Sequence, residues 1–530
     1  MRKESYYLMI MILVSIFLRI YPTMISGLPF STDSWPLIRN AERLVENSPI
    51  PLNSKLFDGY NNYWPLSQIY GAILSIILNI SPMNAMRIYI PFLASLTPLT
   101  LYLLLRRLTR NKTLSFFASI LFAAGGPHAI FTAGVTKETF ANLLLIQSIY
   151  SFSTLCFHAH ELLGFIFLII ALTMSHHMAY IICVVIFMNI FFAELFLPRL
   201  RGDSMRKRMI MSMATILIGV IYYLIYALPG LKITLSFSDW LSASSFQVLT
   251  FMVMFYIVVR PKPRRIPNMW IAFILITSIA LLVNQVTPIV PASPHLTSTA
   301  LFYAYVFIFL GFFATIGLYA VKDWRVDDDV HPILFWISAV LGLEGYAIFG
   351  ANPDLSLTLA YRLPNFIIPA LATLAGAGLF RISSMNKGKF YRILSATCLI
   401  FFTAALASQS YSAVILQENY LGYQWLYLPQ EYQQAIWIKR YSMDCVIYGD
   451  LKVKYLLGEY LGLKVDPVGG YRLLRGEGHG SKNLLSTYMA MTRNGYLLGP
   501  YGIELPSDWN RRLYIHDILF SNQYTTVYQL

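Results

Sequence analysis

Asp33, in Ser31-Thr32-Asp33-Ser34-Trp35-Pro36, is an acid standing just beyond the first long hydrophobic run of the chain. A carboxylate at that depth is costly unless it is solvated, paired or used, which makes it a candidate for proton transfer or cation binding. The same residue types also cap helices: Ser, Thr or Asp accepts from the first backbone N–H groups, and Pro suits the first turn. Spacing leaves capping and catalysis equally open. Thr136-Lys137-Glu138 puts a second carboxylate where a helix begins. Glu138 there either complements the helix dipole or shares a divalent ion with Asp33, and Lys137 would weaken such a site or replace the ion as a fixed cation. Ser175-His176-His177 carries adjacent imidazoles. Neighbours on a helix point about 100° apart, so the pair suits separate hydrogen bonds or a phosphate contact better than joint ligation of one metal. Arg362, in Tyr361-Arg362-Leu363-Pro364, has the planar fork that grips phosphate, although snorkelling to headgroups is its plainer role. Asp58, Tyr63 and Trp64 fall in Phe57-Asp58-Gly59-Tyr60-Asn61-Asn62-Tyr63-Trp64-Pro65. Asp-Gly is an ordinary turn pair and aromatics line membrane interfaces, while aromatic walls also bind sugar rings.

The elements that must position these groups are hydrophobic helices. Of 530 residues 57% are hydrophobic and 12% charged, with the apolar ones in long runs, which defines an all-α polytopic membrane protein. Runs near the roughly 20 residues a bilayer needs fall at 5–24, 86–105, 113–127, 138–157, 161–176, 178–197, 209–228, 243–259, 268–284, 300–320, 331–350, 364–380 and 391–408. About thirteen helices therefore form a domain over 1–408 and leave 409–530 as a tail.

The net charge of +14 is a topology signal. Basic residues cluster in alternate loops: Arg106, Arg107, Arg110 and Lys112; Arg199, Arg201, Arg206, Lys207 and Arg208; Arg260, Lys262, Arg264 and Arg265; Arg381, Lys387, Lys389 and Arg392. The positive-inside rule puts all four in the cytoplasm. Residues 410–530 hold 11 Lys+Arg against 10 Asp+Glu, so the tail is nearly neutral and nucleic acid is excluded as a partner. The amino terminus is then inside and the tail outside the cell membrane. Met1–Met24 lacks a small-residue cleavage site and is expected to stay as an anchor.

Leu66–Ile80 is apolar but short, and counting it as a span would put Arg106–Lys112 outside, so it is expected to lie at the interface. Pro36–Asn47 is amphipathic, with Leu37, Ile38, Ala41, Leu44 and Val45 on one face, and forms a second interfacial helix. Both belong to the first external loop, 25–85. Outward-facing polar residues then include Asp33, Asp58, His128, Lys137, Glu138, His176, His177, His295 and Arg362. Cys156, Cys183 and Cys398 sit in or at the ends of spans and Cys445 is alone in the tail, so no disulfide framework exists and the tail is expected to fold on its own core. Helical spacing over Pro429–Tyr441 and Leu451–Leu461 alternates with short apolar strands at Cys445–Tyr448 and Leu463–Val465, which predicts a small α/β unit. Gly476, Gly478 and Gly480 lack the strand-turn-helix context of a phosphate loop and read as a turn.

Asp33-Ser34-Trp35-Pro36 running into Arg39 and Glu42-Arg43-Leu44, followed by Asp58 and Tyr63-Trp64-Pro65, resembles the first external loop of the GT-C membrane glycosyltransferases. The resemblance is nearest to the catalytic subunit family of oligosaccharyltransferase. It covers about residues 1–160 by motif and the remainder by architecture. It implies a GT-C-like fold of about thirteen spans, two interfacial helices in the first external loop and an extracytoplasmic carboxy-terminal domain. It also implies that Asp33 is the first-loop catalytic acid, that Glu138 is the second acid of a paired-acid motif with Thr136 in place of the first, and that Arg362 lies near a lipid-linked phosphate. Two family features are missing: Trp-Trp-Asp-Tyr-Gly in the tail, and an acid in the loop 285–299.

The implied reaction is inverting transfer of a sugar from a polyprenyl-phosphate or polyprenyl-diphosphate donor to a glycan, lipid or protein acceptor outside the cell. Asp33 would be the base; Arg362, Lys137, His176 and His177 would serve the donor phosphate; Asp58, Tyr63 and Trp64 would serve sugar or acceptor. No cofactor is required, with Mg²⁺ or Mn²⁺ at Glu138 and Asp33 as the alternative. A divergent oligosaccharyltransferase acting on protein asparagine is the second reading and a polytopic lipid or solute transporter the third. A transporter predicts ionisable residues at mid-membrane and broken helices, and only Glu344 and Asn189 interrupt spans clearly.

Overall fold

A computed structural model describes residues 2–49, 59–154, 158–197, 203–230, 236–259, 269–288, 308–318, 331–384, 389–415, 425–442, 445–477, 484–488, 495–498 and 502–530. Asp58, His295, Cys156, Gly478 and Gly480 lie outside the described residues. The chain is a multi-span helical membrane protein with a small mixed sheet near its carboxy end. Among the described residues eight helices are long and apolar enough to cross a bilayer, from Glu4–Ser26 to Lys389–Ser412, with five shorter apolar helices besides. Boundaries depart from the sequence expectation where turn chemistry intervenes. The run expected over 113–127 stops at Ala124, before Gly125-Gly126-Pro127, and a short helix Gly126–Phe131 follows. Arg362 lies near the start of the apolar stretch Thr358–Ser384, at the end of the helix Pro353–Arg362, where a cation suits the carbonyl end, just before Pro364–Ser384 begins at a proline.

The chain forms two compact units. The first comprises Met1–Phe17, Ser95–Phe131 and Ala141–Ser410. Its centre is the small-residue helix Pro364–Ser384 packed on Lys112–Ala124, a pairing that lets membrane helices approach closely. Two buried polar sets lie inside it. Asn189 donates to the Val185 carbonyl at 2.9 Å and meets Gln247 at 3.3 Å, and Gln247 donates to the Ala339 carbonyl at 2.8 Å. Asn189 is therefore interhelical glue, which weakens the transporter reading. Arg208, by sequence one of the loop cations, is instead buried against Glu194, whose Oε1 also lies 3.1 Å from His331 Nε2. Burial without that carboxylate would cost far more than the pair gains, so the three are held together.

The second unit comprises Leu18–Ala94, Thr132–Phe140 and Tyr411–Leu530. Its sheet runs β2 (Val465–Asp466), β1 (Ile447–Tyr448), β3 (Leu484–Tyr488), β7 (Thr525–Gln529), β6 (Asp517–Ser521); the first three are parallel and β7 is antiparallel to both β3 and β6. A separate antiparallel pair joins β4 (Tyr496–Leu497) to β5 (Gly502–Ile503). The helix Pro429–Tyr441 matches its expected bounds. Leu451–Val453 runs on into a wider-wound turn over Lys454–Tyr460. Gly476 is the left-handed cap of Pro467–Arg475, with φ 79°, its N–H reaching the Arg472 and Leu473 carbonyls.

The tail packs one apolar cluster of its own, Leu474, Leu485, Tyr496 and Leu513, and shares a second with residues near the amino end. Leu28 and Trp35, from the loop between the first two long apolar helices, are buried with Tyr427, Ile438, Ile447, Leu456, Leu457 and Val527 in one apolar cluster. The helix Ser34–Glu46 buries the face predicted for it, with Leu37, Ile38 and Ala41 against Met86, Ile90 and Val135. Leu66–Leu78 is inverted: Ser67, Gln68, Gly71, Ala72 and Ser75 face inward while Ile73, Ile76 and Ile77 are exposed. An outward apolar face on a helix too short to span suits a membrane interface.

Candidate active site

Asp33 occupies the N-cap position of Ser34–Glu46 but makes no side-chain cap hydrogen bond. Its backbone is already αR, φ −65° and ψ −14°, which turns the carboxylate away from the N–H groups that a cap serves. The residue is exposed, whereas Phe30, Ser31, Thr32, Ser34 and Trp35 on either side are all buried. Among the described residues its carboxylate carries neither hydrogen bond nor ion pair.

The backbone that presents Asp33 is held from several directions. Ser31 has φ 84°, a strained conformation for a residue with a side chain, and its N–H donates to the Trp425 carbonyl at 2.7 Å. Ser34 Oγ donates to the Phe30 carbonyl and accepts from the Val135 N–H at 3.1 Å, which joins the loop that carries Asp33 to the one before Lys137–Thr154. Gly134 makes that contact sterically feasible: a Cβ there would lie 2.9 Å from the Phe30 carbonyl oxygen and 2.8 Å from Ser31 Cβ. Gly134→Ala should therefore destabilise the fold by about 1–3 kcal/mol, as overpacking does. Thermal unfolding in detergent and sugar transfer should fall together, because the displaced atoms belong to the segment that carries Asp33.

Glu138 is buried in the first turn of Lys137–Thr154. Thr136, in place of the expected first acid, caps that helix: its Oγ1 accepts from the Thr139 N–H at 2.9 Å. Lys137 reaches back to the Gly59–Tyr63 turn. Its Nζ donates to Asn61 Oδ1 at 2.9 Å and stands 3.7 Å above the Tyr60 ring and 5.7 Å from the Trp64 ring. Trp64 is fully buried, so its ring has no face to offer a sugar; Tyr63 is half-buried and Tyr60 exposed. The second unit thus brings together Asp33, Lys137, Glu138, Tyr63 and Trp64.

His176, His177 and Arg362 lie in the first unit. His176 is buried, and its Nδ1 accepts from the Ala179 N–H at 3.3 Å as the cap of His177–Phe196, which leaves Nε2 as the atom for any donor role. His128 is also buried, with its ring 4.6 Å from that of Phe122.

Sequence reasoning missed Gly134, Arg19 and the anchoring of Trp35. Arg19 is wholly buried, with Nε donating to Thr132 Oγ1 at 2.9 Å, although it falls inside the first hydrophobic run. The Trp35 ring lies 5.1 Å from Tyr427, 5.9 Å from Tyr432 and 5.1 Å from Tyr460. Tyr460 in turn donates to Glu42 at 3.0 Å, and burial, then the Glu42 charge, push its phenol well above the ordinary range. Beneath Tyr427 lies a buried ion pair, Lys452 to Glu431 at 2.7 Å; burial pushes the Glu431 carboxyl up and the ammonium opposes that.

The fold has counterparts among solved membrane-protein structures. It is similar to the oligosaccharyltransferase of the archaeon Archaeoglobus fulgidus in the apo form, with TM-score 0.61 and 16% identity over 92% of this chain and 70% of that one. A structure of AglB from the same organism, with an inhibitory peptide and a dolichol-phosphate, matches at 0.60 and 14% identity over 92% and 69%. Apo ArnT from Cupriavidus metallidurans matches at 0.50 and 11% identity, over 99% of this chain and 98% of that one. No protein-family model and no curated protein sequence matches the chain.

Proposed function

We propose that this protein is a membrane glycosyltransferase that moves a sugar from a polyprenyl-phosphate-linked donor to an extracytoplasmic acceptor with inversion. The observation that carries this reading is the Asp33 carboxylate: exposed, uncommitted to the helix it precedes, and mounted on a rigid, strained backbone. In the reaction the acceptor oxygen attacks the anomeric carbon, its proton passes to Asp33, and the bond to the lipid phosphate breaks. Lys137, already fixed by Asn61 and Tyr60, stabilises the departing phosphate; Arg362 and the His176–His177 pair are the first unit's own candidates for phosphate contact. Tyr63, with Asp58 of the same loop, contacts sugar or acceptor; Trp64 serves by holding Lys137 instead. The fold supports the donor class, since a similar archaeal enzyme has been seen with dolichol-phosphate. About thirteen spans, with the amino terminus cytoplasmic and the tail outside the cell, complete this reading.

Mg²⁺ and Mn²⁺ do not fit the donor set well. These ions take about six oxygen ligands, whereas the candidate carboxylates are those of Asp33 and Glu138 and the Thr136 hydroxyl is committed to its helix. Transfer of labelled sugar in membranes expressing the protein, with a panel of polyprenyl-linked donors, should therefore survive EDTA with less than about a twofold loss, since no step relies on a metal. Transfer abolished by EDTA and restored by Mn²⁺ would refute the metal-free base.

A divergent oligosaccharyltransferase is the second reading, favoured by the higher structural similarity to the archaeal enzyme than to ArnT. It predicts transfer of a lipid-linked glycan to an asparagine-containing peptide. A peptide acceptor that stays unlabelled while a lipid or glycan acceptor is labelled would exclude it.

A further inference from the structure

Away from the external loops, His158, His160 and Glu161 bring two imidazoles and a carboxylate to one point. Each offers a ligand atom, and these atoms all lie within 4.8 Å of one another. We infer that this cluster is a binding site for a borderline transition-metal ion of the zinc class.

Local backbone geometry is what makes the cluster. Residues two apart on a regular helix point to opposite sides, so a His-x-His pair wholly within a helix could not share an ion. His158, however, is the N-cap of the helix Ala159–Ser175, with extended backbone at φ −73° and ψ 149°. That turn lays its ring parallel to the His160 ring, with centroids 5.5 Å apart and planes 17° apart. Glu161 sits at the third helical position, from which a side chain reaches back to the N-cap. Its Oε2 lies 3.5 Å from His158 Nδ1 and 3.4 Å from the His158 N–H. A tetrahedral zinc ion with bonds of about 2.0–2.1 Å holds its ligands a little over 3 Å apart. The His158–Glu161 pair already stands near that spacing, and rotation of the exposed His160 side chain closes the rest.

The donor types choose the ion. Two imidazole nitrogens and one carboxylate oxygen suit Zn²⁺, Co²⁺, Ni²⁺ or Cu²⁺, whereas Mg²⁺ and Ca²⁺ require oxygen throughout. Three protein ligands leave a fourth position for water or another donor. On the topology read from the basic loops, the cluster faces the cytoplasm.

The test uses the full chain in detergent, with any affinity tag removed, titrated with Co²⁺ and followed by its visible absorption. Wild type should bind one ion and develop the bands of a tetrahedral centre. His158→Ala or His160→Ala should weaken binding about tenfold or more, and Glu161→Gln less, because each removes one of three ligands. Zn²⁺ should displace the cobalt, and Mg²⁺ should not. A His158→Ala/His160→Ala double variant that binds Co²⁺ like wild type, or a wild type with no tetrahedral bands, would overturn the assignment. No sugar donor is present, so the outcome is independent of the glycosyltransferase reading. The two histidine side chains are exposed, so His158→Ala and His160→Ala should unfold at the wild-type temperature without metal, which marks weakened cobalt binding as lost ligation.

Discussion

Asp33→Asn should lower the turnover of sugar transfer by roughly 100- to 10,000-fold, the usual contribution of a general base. Asparagine keeps the shape of the side chain and loses only its proton affinity. It is also as good a helix cap as aspartate. A residue that merely capped Ser34–Glu46 would therefore tolerate the change, and a base would not. Because the Asp33 carboxylate makes no hydrogen bond to the helix, the variant should unfold within about 0.5 kcal/mol of wild type. The measurement is turnover at saturating donor and acceptor, beside a thermal melt. Turnover near wild type would remove Asp33 from the mechanism, and a large fall in melting temperature would recast it as structural.

The helices and the candidate acid were legible in the sequence because both follow from local signals. Long apolar runs specify helices whatever surrounds them, and the basic loops set their expected direction. Ser31–Pro36 announced a helix start but left the use of Asp33 open. Only the αR backbone at Asp33 separates an idle cap from a usable carboxylate, and that torsion is set by Ser31, Ser34 and Trp425 acting across the fold. The same reason hid Gly134, whose value depends on Phe30 and Ser31 more than a hundred positions away in the chain. Strands β6 and β7 escaped notice because β6 is largely exposed and the buried face of β7 is Thr525 and Val527, so neither shows apolar residues alternating with polar ones. Trp64 read as an interfacial aromatic, yet it is enclosed by Tyr60, Tyr63 and the Lys137 ammonium.

Trp35→Ala should cost about 3–5 kcal/mol of stability, the range for deleting a large buried aromatic. It should also depress transfer beyond what the lost stability explains. Trp35 stands two residues from Asp33 and is fully buried among Tyr427, Tyr432 and Tyr460 of the tail. Through it the tail core fixes the start of the helix that presents the acid, and Tyr460 repeats the connection by donating to Glu42 further along the same helix. Removing the ring leaves a cavity under that helix, and Asp33 loses the fixed placement that proton transfer requires. Trp35→Phe separates packing from hydrogen bonding. The indole Nε1 is buried without a hydrogen-bond partner among the described residues, so phenylalanine forfeits no bond and should cost less than about 1.5 kcal/mol. Thermal unfolding and turnover measured on both variants, at a temperature where each is folded, give the comparison. An alanine variant with wild-type turnover per folded molecule would show that the tail supports the fold without positioning the acid.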